Sequence, residues 1–136
     1  MSKTPRISES EWEVMKVLWE RSPLTANEIV EILMKKTAWH RETIRTLINR
    51  LVQKGAVAFN KEGRQHHYYP HVSEAECTHA ETQSFLRRVR VSAIEPMLAA
   101  FVEEHRLSAE QIARLKQILD GKDLNTKQSK AKKHTA

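Results

Sequence analysis

Four Ser or Thr residues that stand just ahead of apolar residues at helical spacing are each followed three residues later by Glu or Gln: Ser8 and Glu11, Thr25 and Glu28, Ser73 and Glu76, Ser108 and Gln111. In such a pair the hydroxyl accepts from the third helical amide, and the longer side chain accepts from the cap amide. Each pair therefore marks a helix start, and the apolar residues after it recur at helical spacing. A first helix is expected from about 8 to 21, with Trp12, Val14, Met15, Leu18 and Trp19 inward, broken by Pro23. A second is expected from about 26 to 35, with Ala26, Ile29, Val30 and Leu33 on one face.

A third helix, from about 40 to 54, needs no capping box to be visible. Ile44, Leu47, Ile48, Leu51 and Val52 form one apolar stripe, and Gly55 supplies the stop. Its other face carries Glu42, Thr46, Asn49 and Gln53, flanked by Thr43, Arg50 and Arg45. These side chains have lengths and hydrogen-bonding groups that suit base edges and phosphates. A polar helix face is more often merely solvated, so its setting has to decide the matter.

That setting is a change of period after Gly55. Val57 and Phe59 alternate with small or polar residues, Lys61 to Arg64 reads as a turn, and His66 to Tyr69 is a second extended run ended by Pro70. Three helices and a two-stranded hairpin make a winged helix-turn-helix. In that fold the third helix enters a DNA major groove and the hairpin tip, here with Lys61 and Arg64, lies against the sugar-phosphate backbone.

Further helices are expected from about 74 to 90, with Ala75, Leu86 and Val89 inward and Phe85 beside them; from a Glu95 cap with Pro96 in the first turn; and from about 109 to 119, ended by Gly121. The last two carry Ile94, Met97, Leu98, Phe101 and Val102, then Ile112, Leu115, Ile118 and Leu119. These are too few large side chains for an independent core, so burial against a second copy is the economical expectation. The organisation expected is a winged-helix domain at 1–71, a helical dimerisation domain at 72–121 and a disordered Lys-rich tail at 122–136, mainly α with one small hairpin.

Charge agrees with this division. Of the net +6, residues 1–70 hold 12 Lys/Arg against 8 Asp/Glu, residues 71–120 hold 6 against 8, and residues 121–136 hold 5 against 1. A basic N-terminal module favours a polyanionic partner. No apolar run approaches membrane-spanning length and the first residues lack a secretory stretch, so a cytoplasmic protein is expected. The single cysteine, Cys77, excludes an internal disulfide and a Cys-only zinc site. His79, two residues on, would lie on another helix face. His66 and His67 would point to opposite sides of a strand, so these two, with His71, read as scattered exposed histidines, and neither metal nor cofactor is expected. No nucleophile–base constellation or Gly-rich phosphate loop suggests an enzyme. A protein-docking winged helix would want an acidic or apolar third helix, which Arg45 and Arg50 argue against.

With these elements placed, the sequence resembles the penicillinase-repressor family, of the BlaI, MecI and CopY types. The resemblance rests on Ile7 to Trp19, on Thr43 to Gly55, on Tyr68-Tyr69-Pro70 where the wing ends, and on Leu98 to Glu104. It implies a cytoplasmic homodimer that represses genes from a palindromic operator on double-stranded DNA. It implies groove contacts by Thr43 and Thr46 and a phosphate contact by Arg45. Arg50, Lys54 and Arg64 are expected to hold the backbone as well. Glu42 stands where relatives often have a basic residue; a carboxylate there can accept from cytosine N4, with Arg41 next door offsetting its charge. His40 stands where a Ser cap is usual. The resemblance also implies induction by a regulatory protease or sensor, with Ala100–Phe101 as the bond to cleave, although Ala replaces the usual Asn. The paired cysteines of the copper-responsive members are missing.

Overall fold

The computed structural model describes residues 4–134, with side chains described for residues 4–122. In chain order the elements are α1 (Glu9–Glu20), α2 (Ala26–Lys36), α3 (Arg41–Lys54), β1 (Val57–Glu62), β2 (Gln65–Pro70), α4 (Glu74–Arg88), α5 (Val91–Glu104) and α6 (Ala109–His134). The two strands pair antiparallel, Val57 opposite Pro70 and Glu62 opposite Gln65. The turn is thus only Gly63-Arg64, tighter than the four-residue turn expected. Gly63 takes a φ of 63°, which a side chain would resist.

The capping boxes behave as the spacing demands. Ser8 and Thr25 each accept from the amide three residues on, and Glu11 and Glu28 bond back to the cap amides at 2.8 and 2.9 Å. The Ser73–Glu76 and Ser108–Gln111 pairs form too. Gly55 closes α3 in the left-handed conformation, φ 81°, its amide donating to Leu51 and Val52 carbonyls.

The chain divides into two compact units, Met1–Arg88 and Val89–Ala136. The boundary therefore falls after α4, not at 71/72. Two anchors explain this: Cys77 on α4 is fully enclosed in the core, and Trp19 Nε1 donates to the Val72 carbonyl at 2.9 Å. Val14, Met15 and Leu18 of α1, Ile29, Val30 and Leu33 of α2, and Ile44, Leu47, Ile48 and Leu51 of α3 fill that core. Val52 is only partly buried at its edge. Trp12 and Trp19 are half-buried, edge to face with ring centroids 5.4 Å apart. Leu24 is bridged to Tyr68 by two backbone bonds of 3.0 and 2.8 Å, so the chain before α2 extends the hairpin by one rung.

Several expectations need correction. On α4 the inward residue is Cys77; Ala75 and Leu86 are exposed, and Phe85 and Val89 are half-buried. Helix α5 does not begin at Glu95. Arg90 is its cap and Pro96 lies inside it. A proline this near the start removes only one interior bond, and Ala93 bonds to Arg90 in a tighter first turn. Gly121 does not end α6, which runs on to His134. A glycine stop needs the left-handed conformation, and Gly121 does not adopt it. The expectation of a disordered tail falls almost wholly on residues 123–136, whose side chains lie outside those described.

In the second unit α5 has no buried residue. Leu98, Phe101, Val102, Ile112, Leu115, Ile118 and Leu119 are all exposed in the isolated chain, and Ile94 is half-buried.

Candidate nucleic-acid interface

Helix α3 is held by its apolar stripe, so its opposite face is presented outward without choice. Arg41, Glu42, Thr43, Thr46, Asn49, Arg50, Gln53 and Lys54 are exposed, and Arg45 is half-buried. The helix begins at Arg41 with His40 as cap; His40 makes no side-chain cap bond, which leaves the first-turn amides without a side-chain acceptor.

Three outward side chains are more constrained than the sequence suggests. Thr46 Oγ1 donates to the Glu42 carbonyl at 2.9 Å. With its proton used inside the helix, Thr46 offers a methyl and an acceptor lone pair. Arg45 Nη2 donates to Asn27 Oδ1 at 2.7 Å, tying α3 to the start of α2. Lys54 Nζ donates to Glu11 Oε1 at 2.5 Å and to the Arg6 carbonyl at 2.9 Å. Lys54 was expected to hold the DNA backbone; two of its three N–H donors are engaged inside the fold.

Glu11 was legible only as a cap partner. It is also a carboxylate buried to 1% exposure. Burial pushes its carboxyl up, but the bonds from Lys54 and from Ser8 outweigh burial and hold it below the usual carboxylate range. Nothing local could have revealed this, because Lys54 lies 43 residues away in sequence. Glu28 is likewise held low by the Thr25 backbone and hydroxyl.

The wing carries Lys61 and Arg64 exposed at its tip. Behind them His66 stacks on Phe59, centroids 4.1 Å apart at 12°, and His67 lies 3.6 Å from Glu62. These two histidines are half-buried, not the freely exposed residues expected. Burial raises the Cys77 thiol, with Glu76 adding to it, while His79 is exposed. Among the described residues no three His, Cys, Asp or Glu side chains come together to hold a metal ion, and no helix is long and apolar enough to cross a membrane.

The pattern of the Penicillinase repressor family matches residues 7–121. The chain belongs to the penicillinase-repressor family. Among its relatives, the penicillinase repressor of Bacillus licheniformis is 40% identical over 120 residues, covering 88% of this chain and 94% of that protein. The methicillin resistance regulatory protein MecI of Staphylococcus aureus is 35% identical over 121 residues, covering 89% of this chain and 98% of that protein. The solution structure of monomeric B. licheniformis BlaI in complex with the blaP half-operator is similar with a TM-score of 0.50 and 43% identity. It covers 56% of this chain and 93% of that one. Members of the penicillinase-repressor family are DNA-binding transcriptional repressors, not enzymes, and the first unit has their winged helix-turn-helix fold.

Proposed function

We propose that this family member is a sequence-specific repressor that acts as a cytoplasmic homodimer on a palindromic operator. The observation that carries the reading is the outward face of α3, polar and uncapped at its start, with the cationic wing tip on the same winged-helix unit. Two such helices enter successive major grooves about one helical turn apart and cover promoter elements. Thr43 and Thr46 contact base edges, Thr46 through its methyl; Asn49 lies in reach of bases, and Glu42 and Arg41 set the local preference. Arg45, Arg50, Lys61 and Arg64 bind backbone phosphates, with Lys54 contributing least because its ammonium is engaged by Glu11. The monomeric BlaI relative solved with a half-operator supports assigning one half-site to each chain.

Dimerisation is proposed for the exposed apolar row of α5 and α6: Leu98, Phe101, Val102, Ile112, Leu115, Ile118 and Leu119, with Ile94 and Val89 of the same unit; Phe85 and Leu86 of α4 are proposed as dimer contacts in their own right. Left in water, these side chains would forfeit the transfer free energy that burial supplies. Induction follows from loss of the dimer, by proteolysis between Ala100 and Phe101 or by another inactivating signal from a protease or sensor. The bond lies within α5, so cleavage requires that helix to open locally. Separating Phe101 and all that follows from the DNA-binding unit converts one bivalent ligand into two weak ones.

Selection of bound duplexes from a random pool at physiological salt tests the reading. The expected product is a palindrome with half-sites about one turn apart. A pool that shows no enrichment sinks the sequence-specific repressor.

A further inference from the structure

We propose that Arg45 and Arg64 share one backbone phosphate in a cleft between α2 and the wing, and that Asn27 is the positioning residue of that seat. The inference rests on the DNA-binding reading above and adds to it a residue and a site. The cleft has a volume of about 250 Å³. Its lining includes Asn27 from α2, Arg45 from α3, and Arg64, Gln65 and His66 from the wing. Two guanidinium groups and no carboxylate line it, a composition that suits an anion.

The walls of the cleft are fixed. Leu24 and Tyr68 exchange two backbone hydrogen bonds, joining the chain ahead of α2 to β2. Arg45 is fixed too, since Asn27 Oδ1 accepts from its Nη2 at 2.7 Å. One of five guanidinium donors is used, and the rest of the planar fork stays available to phosphate oxygens. A long side chain already held in one place loses little freedom when DNA arrives. Asn27 is well suited to this role: a neutral acceptor orients the arginine without cancelling its charge, as an aspartate would.

The test is a double-mutant cycle on the full chain, with a mixed-sequence DNA duplex as probe and affinity measured across a salt series. Phosphate contacts are independent of sequence, so no operator need be known. Arg45→Ala is expected to weaken binding and flatten the salt slope by about 0.9. Asn27→Ala should weaken binding in the wild-type background and have no further effect in the Arg45→Ala background. Its melting temperature should stay unchanged, because Asn27 is exposed and alanine suits a helix. Asn27→Asp, which keeps an acceptor but adds a negative charge, should weaken binding more than Asn27→Ala. Equal loss in both backgrounds would show that Asn27 acts independently of Arg45 and would overturn the proposal. So would unchanged affinity for Asn27→Ala, or a loss that tracks a lowered melting temperature. A wild-type chain without salt-dependent DNA binding sinks this inference together with the repressor reading, whereas wild-type binding with an uncoupled cycle removes the inference alone.

Discussion

Lys54→Ala separates a residue that holds the fold from one that holds DNA. In the folded chain the Glu11 carboxylate is almost fully buried and receives Lys54 Nζ and the Ser8 amide. Removing the ammonium leaves the charge with the Ser8 amide and no cation. Stripping one partner from a fully buried pair costs about 3–5 kcal/mol. The Lys54 side chain is 36% exposed, so water reaches the vacated side and relieves part of this. A loss of about 2 kcal/mol at pH 7 is expected after that discount. Its pH dependence follows from the direction of the Glu11 shift. A carboxyl held low in the folded state contributes stability above its unfolded pKa and loses it as pH falls through the lowered folded value. Without Lys54 its hydrogen bond and charge no longer lower the carboxyl, which therefore sits higher than in the wild type, so protonation relieves the variant first. The gap between wild type and Lys54→Ala should therefore close as pH falls below about 4.5, the ordinary carboxyl value. Urea denaturation of both proteins at matched concentration, at neutral and acid pH, reads this directly. Glu11→Gln in the Lys54→Ala background should recover much of the neutral-pH loss, since an amide has no charge to strand. Equal urea midpoints at pH 7, or a gap that persists in acid, would refute the argument. A flattened salt slope in a fully folded Lys54→Ala variant would return Lys54 to the phosphate contacts.

Other substitutions probe the remaining assignments. Thr46→Val keeps the outward methyl and should bind a selected operator like wild type. Thr46→Ala removes the methyl and should lose about 0.8 kcal/mol of operator affinity with no change on random DNA, as fluorescence anisotropy would show. His40→Ser supplies the missing cap at φ −81°, ψ 157° and should raise stability by about 1 kcal/mol, a gain of a few degrees in a thermal melt. Phe101→Ala alters a side chain that is 48% exposed in the isolated chain. It should leave the melting of the first unit unchanged while shifting sedimentation equilibrium toward monomer; an unaltered dimer would remove Phe101 from the proposed interface.

The first unit was legible because its signals are local and mutually consistent. Capping boxes, a 3.6-residue stripe and a glycine stop all speak within one helix, and α1 to α3 follow them closely. The wing was legible from its alternation, though its turn proved two residues shorter than the polar run around it. Punctuation misled in the second unit. Pro96 and Gly121 are poor helix residues, but each costs a limited amount, about 3 and 1 kcal/mol, which neighbouring turns can outweigh. The candidate interface was legible as a list of outward residues and illegible as a network. That Lys54 turns to Glu11, Arg45 to Asn27 and the Thr46 proton to Glu42 depends on tertiary placement and on rotamer choice. The core role of Cys77 was hidden for a related reason: the fold recruits α4 into a unit whose sequence pattern ends at the wing.

The rung between Leu24 and Tyr68 has a calorimetric consequence. A free two-stranded hairpin is marginal in water, and a wing that had to order on contact would bind with the large negative heat-capacity change of coupled folding. Here the paired bonds from Leu24 hold β2 before any ligand arrives. Association of this reading head with DNA should then show only the modest heat-capacity change of rigid surfaces meeting. A substitution such as Leu24→Pro, which removes the amide donor to Tyr68, should make that change more negative while adding an entropic penalty to binding.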